Sequence, residues 1–379
     1  MARESPAYHD GFTSDSSGLP KFQGMKPTKR ILYGIVGVGM GHATRSRVIL
    51  DHLLAQGHEI LVTASGTAPA FIRDVYINEP RLQVEEVAGY GMRFRDQRVD
   101  VGGTFLDLID GGPGRLLTNL GAFSRISRRF HPDVVISDFE GFAHWYGRFF
   151  DVPVISLDNI QVLNRCTLDP EVVDTDAVAF QLAKTTVKAK MPGADHYLVS
   201  SFFDPKARKK NTTVVGPVLR AEILDAKREC GEHVLVYQSI WSEALLTSLR
   251  NLSVPIVAYG SGREGTEGNI TFRPFSQQGF IDDLRTARAV VAGGGYSLMC
   301  EALQIGIPML AIPLDGHVEQ QLNAAYLAAC GYGAMHHELT AEILADFLDD
   351  LDSYEFALQW YDRRGNGPIF AAIDELLAA

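Results

Sequence analysis

The chain has 379 residues, 46% of them hydrophobic, and 35 Lys and Arg stand against 46 Asp and Glu for a formal net charge of −11. That length admits two domains with separate cores, and the acidic balance excludes nucleic-acid binding through bulk charge, so an anionic ligand must be held locally. Cys166, Cys230, Cys300 and Cys330 form no CxxC pair and no apolar run approaches the roughly 18 residues of a membrane span, which argues against a disulfide framework, a structural zinc site and a spanning helix.

Residues 1–28 are rich in Ser, Gly and Pro, show no period and lack the basic-then-apolar layout of a signal peptide. They read as a mobile tail on a protein of the reducing cytoplasm. From Arg30 short β-branched runs alternate with helical patterns: "RILYGIVGV" as a strand, "HATRSRVILDHLLAQG" as a helix closed by Gly57, and "HEILVTAS" as a second strand. Residues 89–115 hold seven glycines and four arginines among apolar side chains and read as a long surface excursion or a lip over a site. The alternation returns in "PDVVISD", a helix through "GFAHWYGRFFD", and "VPVISLDN". Strands separated by helix-length segments imply parallel βαβ units.

A basic, turn-rich stretch, "DPKARKKNTTVVGPVLR", precedes a second series: "EHVLVYQS", "VPIVAYG", "NITFRPF", "RAVVAGGG" and "IPMLAIP". Two α/β halves result, with a boundary near Gly216 and Pro217. The final residues read as helical pieces broken between Gly365 and Pro368.

In open parallel sheets ligands bind beyond the carboxyl ends of the strands, where loops enter helices. Three such loops carry chemistry. In the first, "VGVGMGHATRS", Gly37, Gly39 and Gly41 miss the G-x-G-x-x-G spacing of a dinucleotide site by one residue, and the second strand ends "VTASGTAP" without the carboxylate that would grip a ribose. These two mismatches argue against a dinucleotide clamp, and His42 at the helix start is placed either to act as a base or merely to cap or pack. In the second loop, Asp138 ends a strand, placed either to orient His42 or to cap the next helix. In the third, "VVAGGGYSLMCEAL", three glycines and a serine lead into a helix N-terminus, a geometry that cradles phosphate. Glu301 on that helix can accept hydrogen bonds from ribose hydroxyls, and "PLDGHVEQQLNAA" adds polar groups at another helix start.

Together "ILYGIVGVGMGHATRS", "GGGYSLMCEAL" and "EQQLNAA" resemble GT-B fold glycosyltransferases, the superfamily of plant UDP-sugar transferases and the bacterial lipid-linked GlcNAc transferase of peptidoglycan synthesis. The resemblance covers about residues 30–340 and implies an α/β fold of two Rossmann-like domains whose parallel sheets face a central cleft. It implies a tail at 1–28, an acceptor-binding domain at 29–216, a donor-binding domain at 217–352, and C-terminal helices at 353–379 crossing back to the first domain. His42 matches the general base and Asp138 its partner. Ser239, Gly294, Gly295 and Ser297 match donor-phosphate contacts, Phe275, at the end of "ITFRPF", the position whose backbone reads the nucleobase, and Glu301 the ribose reader. Glu319 and Gln320 match the pair that reads the donor sugar. Gly39, Gly41, Thr44 and Arg93 fall on the acceptor side.

Two departures stand out: many members carry histidine where Gly293 stands and a hydroxyl residue where Leu298 stands. Phosphate binding then rests on backbone N–H groups, Ser297 and the helix dipole, with His317 as a replacement cation. The resemblance implies a glycosyltransferase using a UDP-sugar, with inversion, no metal and no cofactor. Its partners would be the nucleotide-sugar and a glycan, lipid-linked or small-molecule acceptor, without nucleic acid. The protein would be cytoplasmic or peripheral on the inner membrane face. A nucleotide-sugar 2-epimerase of the same fold and a noncatalytic nucleotide-sugar binder are the alternatives.

Overall fold

The computed structural model describes residues 28–37, 40–89, 94–95, 98–99, 112–229, 231–238 and 240–379. A first sheet contains β1 (Arg30–Ile35), β2 (Glu59–Ala64), β3 (Leu82–Glu86), β4 (Val134–Asp138), β5 (Val154–Asp158), β6 (His196–Ser200) and β7 (Thr212–Val215) in the order β7-β6-β5-β4-β1-β2-β3. All its pairs are parallel, with Ile31 opposite both Ile60 and Val134. Both faces are covered, which is why the central strands are continuous apolar runs rather than alternating ones.

On one face Ile31, Tyr33 and Ile35 pack against α1 (Met40–Ala55), whose Ala43, Ile49, Leu50, Leu53 and Leu54 form the buried stripe expected of a 3.6-residue period. The other face, carrying Leu32 and Val135, is covered by α2 (Gly112–Arg129), α3 (Gly141–Phe150) and α4 (Val178–Lys190). The last helix, α7 (Gly367–Ala378), lays Ile369, Ile373 and Leu377 into the Ile31 cluster on this same sheet.

The second sheet contains β8 (Val234–Tyr237), β9 (Ile256–Tyr259), β10 (Gly265–Glu267), β11 (Ile270–Phe272), β12 (Ala289–Ala292), β13 (Met309–Ala311) and β14 (Gly333–Met335) in the order β10-β11-β9-β8-β12-β13-β14. Only β10 with β11 is antiparallel. Helices α5 (Tyr296–Ile305) and α6 (Val318–Ala329) follow β12 and β13.

In each sheet the chain reverses its direction of strand addition beside the first strand, between β1 and β4 and between β8 and β12. Loops leaving those strands diverge and open a crevice at each switch point. The first holds His42 and Asp138, the second Gly293–Gly295. Strands β3, β6, β7, β10 and β14 were not legible as separate runs. Four are sheet edges, where exposed residues in β3, β7 and β10 dilute the apolar signal, whereas β6 is buried along nearly its whole length.

Candidate active site at the two switch points

His42, Arg45 and Ser46 stand three and four residues apart on the first turns of α1 and face the end of β4 together. Asp138 Oδ1 lies 2.9 Å from His42 Nδ1, and Oδ2 accepts from Arg45 Nε at 2.9 Å and Ser46 Oγ at 3.0 Å. Arg45 Nη2 also donates to Asp138 Oδ1 and lies 2.8 Å from His42 Nδ1.

Both neighbours of that nitrogen cannot be satisfied by one tautomer. Burial alone pushes the Asp138 carboxyl up, but the adjacent Arg45 guanidinium and His42 outweigh it and hold it well below the usual carboxylate range. Against a permanent carboxylate, Nδ1 carries the proton and donates, while Arg45 Nη2 is satisfied by the same carboxylate. In the neutral ring His42 Nε2 is then the free lone pair, as a general base requires.

Asp138 is not the helix cap. Glu140 takes that role at α3, accepting from Phe142 N at 2.8 Å and Ala143 N at 2.7 Å, and Phe139 between them adopts a left-handed backbone with φ 51°. This turn lets two consecutive carboxylates serve different ends: Asp138 points to α1 and Glu140 into its own helix. Behind them Asp158, at the end of β5, is buried against Ser156 and Gln161 N. Burial pushes its carboxyl up to about 7, with Asp138 adding to the effect. A cavity of about 10 Å³, room for one water, lies among Tyr33, Arg45, Asp138, Asp158 and Ser200.

The second crevice is built from backbone. Gly294 has φ 80°, and an added Cβ would lie 2.8 Å from the carbonyl oxygen of Gln320, so no other residue fits without displacement. Gly295 caps α5 with no side-chain hydrogen bond, and a Cβ there would meet nothing within 4 Å. The unpaired N–H groups of this helix start are therefore approachable by an anion. Asn323, missed in the sequence, anchors the loop by donating to Gly294 O at 3.2 Å.

The two crevices meet. A Cβ on Gly41 would lie 2.8 Å from Ser297 Oγ, Ser200 Oγ is 2.8 Å from Tyr296 OH, and Asn159 Nδ2 donates to Glu319 Oε1 at 2.9 Å. The loop that carries His42 is thus set against the glycine-rich loop that opens α5.

The profile of glycosyl transferase family 1 matches residues 29–352. The chain belongs to that family. An uncharacterized glycosyltransferase of Methanosarcina mazei is 26% identical over 364 residues, covering 85% of this chain and 90% of the relative. Among solved structures, UGT89C1 of Arabidopsis thaliana complexed with quercetin superposes with a TM-score of 0.66 at 13% identity, covering 93% of this chain and 99% of that one. UGT2 of Phytolacca americana, complexed with UDP-2-fluoro-glucose and pterostilbene, gives 0.64 at 12% identity over 93% and 99%. These structural likenesses show the GT-B fold: two Rossmann-like parallel sheets facing a cleft.

Several residues of this glycosyltransferase stand differently from expectation. Strand β11 ends at Phe272, so Phe275 lies in the following loop with a 63% exposed side chain. His317 is the cap of α6, its Nδ1 accepting from Gln320 N at 3.4 Å, and a nitrogen that accepts is not the cationic contact expected of it. Thr44 spends its hydroxyl on Met40 O and Gly41 O within its own helix turn, both at 3.1 Å. A Cβ at Gly41 would meet Ser297 Oγ and one at Gly37 the backbone of Ser65, so close approach of protein atoms already calls for glycine at both.

Glu301 is buried and forks onto Arg220, accepting from Nε at 2.8 Å and Nη2 at 2.7 Å, so only the remaining lone pairs of its carboxylate are open. Gln320 Oε1 accepts from Leu314 N at 3.0 Å. Gly39, Arg93 and Ser239, together with the tail at 1–27 and most of the 89–115 excursion, lie outside the described residues.

Arg45, Asn159 and Arg220 were not singled out in the sequence. The signal for Arg45 was present in "GHATRS", a cation on the buried side of an amphipathic helix one turn from a histidine. Asn159 and Arg220 carry no comparable local signal, because each acts on a partner more than 80 residues away. Among the described residues no group of three or more His, Cys, Asp or Glu could hold a metal ion, and no helix is long and apolar enough to cross a membrane.

Proposed function

We propose that this glycosyltransferase moves a hexose from a UDP-sugar to an acceptor hydroxyl with inversion and without a metal ion. The observation that carries this reading is the His42–Asp138 pair at one switch point facing the glycine cradle at the other. His42 Nε2 takes the acceptor proton as the acceptor oxygen attacks the anomeric carbon. The bond from that carbon to the diphosphate breaks, and the departing charge is met by N–H groups of Gly295 and the α5 start with Ser297. Asp138 stabilises the imidazolium that forms. Glu319 and Gln320 read the sugar and Glu301 the ribose.

Support for the donor comes from Phytolacca americana UGT2, of the same fold, whose structure is a complex with UDP-2-fluoro-glucose and pterostilbene. Support for a lipid-linked acceptor at a membrane surface comes from the outer side of the first sheet. There Trp145, Phe149 (81% exposed) and Phe150 of α3 lie beside Arg148, and His144 of the same helix bonds Pro192 next to the basic end of α4. Aromatic side chains mixed with cations suit an anionic bilayer interface.

Incubation of the protein with radiolabelled UDP-sugars and a membrane extract tests the reading. Label in an acceptor is the expected result. Label found only in an epimerised nucleotide-sugar, or bound without turnover, overturns it.

A further inference from the structure

The base side and the sugar-reading side of the cleft are joined by one side chain. Asn159, 5% exposed in the loop after β5, accepts from Arg45 Nη1 through Oδ1 at 3.0 Å and donates through Nδ2 to Glu319 Oε1 at 2.9 Å. Arg45 is the residue that forks onto Asp138, so the hydrogen bonds run unbroken from His42 through Asp138, Arg45 and Asn159 to Glu319. Burial works against the Arg45 cation, and Asp138, Asp158 and Glu319 outweigh it.

The chemistry of position 159 is narrow. Its side chain meets a cation's donor on one side and a carboxylate acceptor on the other. An aspartate satisfies Arg45 but faces Glu319 with like charge, and an aliphatic residue leaves a buried guanidinium N–H unpaired. The asparagine amide offers an acceptor and a donor at once. On the Glu319 carboxylate, Oε1 is thereby held while Oε2 takes no hydrogen bond from the described residues.

We propose that Asn159 is a positioning residue for donor-sugar recognition: it fixes Glu319 from the opposite sheet so that the other carboxylate oxygen meets a sugar hydroxyl. Sugar discrimination is then a property of the two halves together, not of the donor-binding half alone. The inference rests on the proposed use of a nucleotide-sugar and of Glu319 as its reader.

The test compares binding of UDP with binding of UDP-glucose and UDP-N-acetylglucosamine by calorimetry. Wild type is expected to bind at least one UDP-sugar more tightly than UDP. Asn159→Ala and Asn159→Asp are expected to leave UDP affinity within about twofold and to cut the advantage conferred by the sugar by roughly tenfold, the scale of one hydrogen bond to a charged group. The double variant Asn159→Asp with Glu319→Gln exchanges donor and acceptor across the same contact, and recovery of the sugar advantage is expected. Near-ultraviolet circular dichroism of each variant separates this from loss of fold, since the double variant retains both side-chain volumes.

A sugar advantage unchanged in Asn159→Ala, or a double variant no better than Asn159→Asp, overturns the positioning role while leaving the donor assignment intact. Wild type that binds none of these compounds overturns both.

Discussion

The two switch points have one topology and opposite contents. After β1 the chain enters α1 with side chains crowded together: Arg45, Ser46 and Asp138 are buried and His42 is partly buried against them. After β12 the loop enters α5 almost bare, its helix start capped only by Gly295 with open space in front. A parallel sheet directs both loops to the cleft. Side chains decide that one is suited to moving a proton and the other to receiving an anion. In the first half side chains of α1 crowd toward Asp138 and in the second the α5 start is bare, so glycine content alone does not tell the two kinds of loop apart.

Four substitutions sharpen or break this contrast. His42→Ala is expected to have the largest effect, lowering transfer by about 10³- to 10⁴-fold while UDP binding, measured by calorimetry, stays nearly unchanged. Equal loss of UDP binding would show that the first loop serves the anion after all.

Asp158→Asn is expected to change the pH dependence of stability. The folded carboxyl is raised to about 7, above its unfolded value near 4. The native state therefore holds a proton that the unfolded chain has lost, and this group makes stability fall as pH rises from about 4 to about 7. Removing it is expected to stabilise the protein at pH 8 relative to pH 4, by up to a few kcal/mol, in urea unfolding at the two pH values. A shift of equal size at both would sink the assignment.

Asp138→Asn is expected to lower kcat about 100-fold with little change in the KM for donor, because it loses the charge facing the His42 imidazolium but not the cradle. A rise in donor KM with kcat intact would place Asp138 in binding instead. The smallest effect belongs to the other region. Gly295→Asp puts a carboxylate where the anion would sit and is expected to weaken UDP binding about tenfold, leaving the His42 cluster and the melting temperature near wild type. Unaltered UDP affinity would move the phosphate site elsewhere.

Much of this was legible in the chain itself. The central strands are two-sided apolar runs and α1 carries a clear stripe, because burial on both faces of a sheet, or on one side of a helix, imposes a period that composition cannot hide. His42 beside Asp138 was legible too, since strand ends in a parallel sheet converge. Edge strands were not, because exposed residues interrupt the apolar pattern in β3, β7 and β10. The end of β11 before Phe275 had a signal in Pro274, which has no N–H to give a sheet ladder.

Sequence alone determined two α/β halves, two glycine-bearing switch-point loops and the residues most suited to base and cradle, because those depend on local periodicity and loop composition. Only the tertiary structure decided the partners. Arg45 belongs to Asp138, Glu301 is forked by Arg220, Gly41 makes room for Ser297, and Asn159 reaches Glu319 across the cleft. Each of those contacts joins segments far apart in the chain, and a side chain's partner across such a distance is set by how helices, strands and the two halves pack, which no local pattern encodes.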